Sequence, residues 1–254
     1  MNIREQRDAF EWLPQIRSPR IFLLVCFLFL EFALQACGTG SSLSRENKPA
    51  ESNREKRGPV IYVALGDSTG IGVGAREGGY VSRLFQRIDH ERPSSQLTNL
   101  CTSGATSSDV VREQLERAVA AHPTLVTIGI GINDISRSVT EQTFASNLEE
   151  IVSRLKSKTT ASIVITNLPD VSLAPIVPGS LREQLHNRIL SFNQKVKETA
   201  DRHGLLQVDA YTATHDMIPS HPEFFSFDGF HPSDEGYEFW AKLMWPTVKE
   251  AIEK

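Results

Sequence analysis

The chain alternates between short, continuously apolar runs and longer stretches in which apolar positions recur at helical spacing. The apolar runs cover 60–65, 96–101, 124–130, 161–167 and 205–209. They are rich in β-branched residues, as in Val126-Thr127-Ile128-Gly129-Ile130 and Ile163-Val164-Ile165-Thr166. Continuous rather than alternating hydrophobicity marks strands covered on both faces, as in a parallel sheet. Between them, helices are expected over 79–91, 107–121, 140–157, 181–203 and 233–252. The repeat is clearest in 181–203. There Leu181, Leu185, Ile189, Phe192, Val196 and Ala200 recur at steps of three and four and make one buried face, and Gly204 ends the helix as a C-terminal cap. In the last helix Tyr237, Trp240, Met244 and Val248 share a face, and Pro246 is expected to kink or split it. Five successive β–α units predict an α/β fold, a three-layer α/β/α sandwich about a five-stranded parallel sheet. In such folds sites form at the carboxyl ends of the strands.

The first 58 residues do not follow this pattern. Residues 1–20 are polar and carry Arg4, Arg7, Arg17 and Arg20 against Glu5, Asp8 and Glu11, and residues 21–30 are wholly apolar. That run is too short for a comfortable membrane span but suits a signal-peptide core. It is followed by Leu34-Gln35-Ala36-Cys37, which resembles a bacterial lipobox, in which the cysteine is lipidated and becomes the mature N-terminus. The expected organisation is therefore a lipoprotein-type signal peptide over 1–36, a polar flexible tether over 37–58 and one folded domain over 59–254. A plain signal peptide or a signal anchor is the alternative. An exported, lipid-anchored location follows from the lipobox reading.

Composition narrows the chemistry. The 254 residues are 40% hydrophobic and 23% charged, with a net charge of −4 and a pI of about 6.0. No basic footprint for nucleic acid is present. Cys26, Cys37 and Cys101 form no close pair, and the seven histidines include no HExxH and no His/Cys cluster. A disulfide scaffold, a structural zinc site and a metal cofactor are therefore not expected.

The strand ends carry the candidate chemistry. Gly66-Asp67-Ser68 follows the first strand, ahead of the glycine-rich stretch Gly70-Ile71-Gly72-Val73-Gly74, which reads as a mobile rim. Cys101-Thr102-Ser103-Gly104-Ala105 follows the second, Gly131-Ile132-Asn133-Asp134 the third and Asn167-Leu168-Pro169-Asp170 the fourth. Asp228-Gly229-Phe230-His231-Pro232 comes after the fifth. A serine hydroxyl becomes nucleophilic when a base takes its proton, histidine suits that task near neutral pH, and a carboxylate holds the imidazole in the right tautomer. Asp228 and His231, three residues apart, can face the same way across one turn. Gly104 and Asn133 supply amide donors for an oxyanion. Taken singly, each is a common turn or cap residue. Asp67 is given only a supporting role, Asp134 reads as a helix cap, and His215 and His221 are assigned to the surface. Phe224, Phe225, Phe227 and Phe230 read first as packing against the sheet edge, with acyl-chain contact as the alternative.

Taken together, Gly66-Asp67-Ser68, Gly104, Gly131-x-Asn133-Asp134 and Asp228-x-x-His231 resemble the SGNH (GDSL-type) hydrolase superfamily in order and approximate spacing, across nearly all of 59–253. The resemblance implies a flavodoxin-like sheet and a serine hydrolase acting on oxygen or thio esters through an acyl-enzyme. It implies Ser68 as nucleophile, His231 as general base and Asp228 as its orienting acid. The Ser68 amide, the Gly104 amide and the Asn133 side chain would form the oxyanion hole, with no cofactor. Thr69-Gly70 departs from the Leu-Ser of many members. Lipid or lysophospholipid esters, short acyl esters and acetylated envelope glycans stay open as substrates. A non-catalytic envelope binding protein is the rival from another class. Gly66-x-Ser68-x-Gly70 also matches the nucleophile elbow of α/β-hydrolases. There, however, the serine follows several strands, whereas Ser68 follows the first.

Overall fold

The structure, a computed structural model, describes residues 58–254. The expected signal peptide (1–36), Cys37 and the tether up to Arg57 lie outside the described residues. The strands are β1 (Ile61–Gly66), β2 (Gln96–Asn99), β3 (Leu125–Gly129), β4 (Ser162–Thr166) and β5 (Leu206–Val208). They form a parallel five-stranded sheet in the order β2-β1-β3-β4-β5. The helices are α1 (Ser68–Ile71), α2 (Tyr80–Glu91), α3 (Ser107–Asp109), α4 (Leu115–Ala120), α5 (Ile132–Ser136), α6 (Glu141–Lys158), α7 (Gly179–His203), α8 (Ala210–Met217) and α9 (Asp234–Glu253).

The three layers follow from the two-residue period of the strands. Val63, Leu65, Val126, Ile128, Ile163 and Ile165 point to one side, where they meet Leu115, Phe144, Leu148, Ile151, Phe192 and Val196 of α4, α6 and α7. Tyr62, Ala64, Leu125, Val164 and Val208 point to the other, against Tyr80, Leu84 and Ile88 of α2 and Tyr237, Met244 and Val248 of α9. With both faces covered, the strands are apolar along their whole length, which is the pattern that announced them.

Several elements differ from expectation. The predicted helix 107–121 is composite: α3 and α4 are joined by a π-helical turn, Val110–Gln114. Helix α7 begins two residues earlier than expected, and Leu181 is half exposed: the fully buried face starts only at Ile189 and continues through Phe192, Val196 and Ala200. Pro246 does not split α9, which runs unbroken from Asp234 to Glu253, held by the buried face Tyr237, Ala241, Met244 and Val248. Helix α8 was not anticipated. Its sequence, Ala-Tyr-Thr-Ala-Thr-His-Asp-Met, lacks an apolar period, and it is fixed instead by Asp209, whose side chain accepts from the Thr212 amide as N-cap.

Candidate active site

The site sits at the carboxyl edge of the sheet, on both sides of β1. The chain leaves β1 at Gly66 and turns at once into the short helix α1, with Asp67 as its N-cap. The Asp67 carboxylate accepts from the Thr69 amide at 3.0 Å and the Thr69 hydroxyl at 2.8 Å. Ser68 is thus the first residue of a helical turn rather than part of an open loop, and it is 7% exposed. Burial raises the pKa of Asp67, against the opposing pull of the Thr69 hydrogen bonds and the nearby His231.

The glycine stretch that follows is packed rather than a mobile rim. Gly74 has φ +96°, and a Cβ there would lie 2.9 Å from the His231 Cβ and 2.8 Å from the Pro232 carbonyl oxygen. The stretch therefore backs directly onto the histidine. It is tied to α9 by Tyr237, whose hydroxyl donates to the Val73 carbonyl at 2.8 Å. Asp234 adds to this by accepting from the amides of Arg76 and Glu77 at 3.1 and 2.9 Å.

His231 faces Ser68. Its Nε2 lies 3.0 Å from Ser68 Oγ, and its Nδ1 lies 2.6 Å from Asp228 Oδ2. The other carboxylate oxygen, Oδ1, accepts from the amides of Phe230 and His231 at 2.9 Å each and from the Ser226 hydroxyl at 2.8 Å. Partial burial of Asp228 acts to raise its pKa. The hydrogen bonds from His231, the Phe230 amide, Ser226 and the His231 amide outweigh it and hold the carboxyl well below the usual range. An ionised Asp228 accepts from Nδ1–H, which leaves the Nε2 lone pair aimed at the serine.

The donor side is built from the next two strand ends. Gly104 has φ +74°, a left-handed conformation that favours glycine. The following carbonyl, of Ala105, accepts from Asn133 Nδ2 at 3.0 Å, and the same nitrogen lies 3.5 Å from Asp67 Oδ2. Among the described residues, neither the Ser68 amide nor the Gly104 amide donates to another group. Asp134 does not cap its own helix, whose N-cap is Gly131. It is buried, and its carboxylate accepts from the Ser107 amide at 2.9 Å and the Ser107 hydroxyl at 2.5 Å. That link fastens the segment after Gly104 to the helix bearing Asn133.

One positioning residue was not foreseen. Gln114, in the π-helical turn, accepts from the Gly66 amide at 3.0 Å through Oε1 and donates to the Gly66 carbonyl at 2.9 Å through Nε2. Its sequence signal was a polar residue four positions from both Val110 and Ala118, on the buried face of a helix.

Ser68, Asn133 and His231 open onto a cavity of about 90 Å³. Its walls are apolar: Leu168 and Val171 from the loop after β4, Ile218 beyond α8, Phe224, Phe225 and Phe230 from the late loop, and Phe239, Trp240 and Leu243 of α9. Three of the four clustered phenylalanines therefore face the cavity, and Phe227 is fully exposed. His215 and His221 are partly exposed, as a surface assignment requires, and each pairs with a carboxylate. His221 pairs with Glu223 at 2.7 Å, and His215 pairs with Asp170 at 2.6 Å.

Comparison with known proteins identifies the family and the fold. A profile described as the GDSL-like Lipase/Acylhydrolase family matches residues 64–239. A GDSL-like esterase of Mycobacterium tuberculosis is 26% identical over 204 residues, which is 78% of this chain and 65% of that protein. The chain thus spans about two thirds of its relative's length. Among solved structures, the acetylxylan esterase Axe2 from Geobacillus stearothermophilus is similar with a TM-score of 0.63 at 20% identity, covering 76% of this chain and 95% of that one. TesA gives 0.63 at 21% identity, covering 75% and 99%. A psychrotrophic esterase, EstA, from Pseudoalteromonas gives 0.62 at 19% identity, covering 76% and 99%. At these identities the likeness to the solved structures is one of fold.

Proposed function

The chain belongs to the GDSL-like Lipase/Acylhydrolase family, and from that membership we propose that it is a serine esterase working through an acyl-enzyme on Ser68. The observation that carries this reading is the unbroken line from Ser68 Oγ to His231 Nε2 at 3.0 Å and from His231 Nδ1 to Asp228 Oδ2 at 2.6 Å. Ser68 attacks the ester carbonyl as His231 takes its proton, and Asp228 stabilises the resulting imidazolium. The tetrahedral oxyanion is met by the amides of Ser68 and Gly104 and by Asn133 Nδ2. His231 then returns the proton to the leaving alkoxide. Water, deprotonated by the same histidine, releases the acid and restores Ser68. These side chains handle every proton and electron pair, so the scheme calls for no cofactor.

The apolar cavity beside Ser68 supports an ester with a short apolar acyl group. Its volume is below the ~150 Å³ of a cavity that takes up benzene, and apolar side chains make up most of its lining. An acetylated sugar is the competing substrate, and long-chain lipid esters are the third class. A panel of p-nitrophenyl acetate, butyrate and palmitate plus an acetylated xylose separates them. The reading predicts the highest kcat/KM on butyrate. A maximum on the acetylated sugar would replace it with deacetylation, and a maximum on palmitate would replace it with lipid hydrolysis.

We also propose that the chain is exported and held at a membrane by lipid on Cys37. The apolar run at 21–30, followed by Leu34-Gln35-Ala36-Cys37, supports this. Radiolabelled palmitate should enter the wild-type chain and not Cys37→Ser, and labelling that survives the change would remove the anchor.

A further inference from the structure

Behind the cavity wall lies a second cluster of ionisable side chains that the ester chemistry does not use. Asp170 follows β4, His186 is on α7 and His215 is on α8. His186 Nδ1 lies 3.2 Å and His215 Nδ1 2.6 Å from the same carboxylate oxygen, Asp170 Oδ2. All three ligand atoms fall within 4.8 Å of one another.

Three features distinguish this cluster from an ordinary buried hydrogen bond. Asp170 is completely buried, yet among the described residues no lysine or arginine pairs with it, and its only ionic partners are the two imidazoles. A buried carboxylate calls for a cation. Its other oxygen, Oδ1, is already held by the Ser172 amide at 3.2 Å and the Ser172 hydroxyl at 2.5 Å, which aims Oδ2 at the histidines. That is the outer support usual around a metal-binding carboxylate. Finally, the two rings come from different helices and converge through Nδ1, while Tyr211 stacks on His215 with centroids 5.6 Å apart and fixes that ring.

We propose that Asp170, His186 and His215 form a binding site for a divalent transition-metal ion of the zinc type. Two imidazole nitrogens and one carboxylate oxygen are a ligand set zinc accepts, with metal–ligand distances of about 2.0–2.2 Å and a fourth position left for water. Neutral imidazoles bind by carrying their proton on Nε2 and turning the Nδ1 lone pair to the ion, so no net proton need leave either ring. The ion takes the place of the direct contacts between Oδ2 and the two Nδ1 atoms. It would fasten the loop after β4 to α7 and α8. Val171 and Thr214 line the substrate cavity, and the Asp170 amide donates to Thr214 Oγ1 at 2.9 Å, so the fastened segments are walls of that cavity. This inference stands independently of the esterase reading, since its test reads metal and not turnover.

The test is equilibrium dialysis of the chelator-stripped full chain against Zn²⁺, with the visible spectrum of the Co²⁺-loaded protein as a second readout. Wild type and Ser68→Ala should each bind one more equivalent than the double variant His186→Ala/His215→Ala, and their Co²⁺ spectra should show tetrahedral nitrogen/oxygen bands that the double variant lacks. Ser172→Ala should weaken binding roughly ten- to a hundredfold, through loss of carboxylate support. The half-exposed single variant His215→Gln, checked for native circular dichroism, guards against loss of fold. It should lose both the equivalent and the rise in Tm that Zn²⁺ gives wild type. Equal stoichiometry in wild type and the histidine variants, or loss of the site in His231→Ala, would overturn the proposal.

Discussion

Gln114 and Gly66 exchange two hydrogen bonds, carboxamide to peptide, one strand residue ahead of the Asp67-Ser68 turn. A strand end has no ladder partner beyond its last residue, so the angle at which the chain leaves the sheet needs another restraint. Gln114 supplies it from a buried π-helical turn, a geometry that recurs at functional sites. Gln114→Leu leaves the buried Gly66 N–H unsatisfied, at about 1–3 kcal/mol, while the Gly66 carbonyl keeps the Thr102 amide at 3.1 Å. It should also lower kcat roughly ten- to a hundredfold with KM little changed, because the serine loses its setting against His231. Gln114→Glu keeps the acceptor and should fall between. Unchanged kcat in Gln114→Leu would show that the serine is placed without it.

Asn133 is now shared between the Ala105 carbonyl and, at 3.5 Å, Asp67. An oxyanion would take over the longer of these contacts. Asn133→Ala should therefore cost about 2.7–4 kcal/mol of transition-state stabilisation, read as a fall in kcat. A change confined to KM would assign Asn133 to substrate binding instead.

Much of this site was legible from order alone. Ser68 and Asn133 follow strand ends set by apolar runs that a buried parallel sheet makes continuous, and Asp228 and His231 stand out by their three-residue spacing just before the last helix. Less legible were features that depend on where a side chain's partner lies in space. Asp134 was read as a cap because its local sequence permits one, while its partner, Ser107, is 27 residues away. The glycines at 70–74 suggested freedom, yet Gly74 is glycine because His231 packs against it. Helix α8 has no apolar period to announce it, and with it went the pairing of His215 with Asp170.

Acid should expose the role of Asp228. Its carboxyl is held below the ordinary value in the folded chain, so its ionisation contributes stability above the unfolded value of about 3.9. That contribution is lost as pH falls from there through the lower folded value. Denaturant midpoints at pH 6 and pH 3 should therefore drop more for wild type than for Asp228→Asn. An equal drop would mean that the hydrogen bonds to Asp228 do not favour its charged form.

The cavity wall sets acyl length. Ile218 is nearly buried and lines the cavity, so Ile218→Trp should fill space that an acyl chain would occupy. The ratio of kcat/KM for butyrate over acetate should fall about tenfold or more, the scale on which a pocket discriminates a methylene. A ratio that stays constant would place the acyl chain elsewhere.

The central claim is that Ser68 is the nucleophile. A fluorophosphonate ester labels an activated serine covalently, and intact-mass and peptide mapping locate it. One adduct per chain on the Ser68 peptide, activity lost in step with labelling, and neither labelling nor esterase activity in Ser68→Ala are the predicted results. An adduct on another residue, or a Ser68→Ala protein that hydrolyses p-nitrophenyl butyrate at the wild-type rate, would contradict the account.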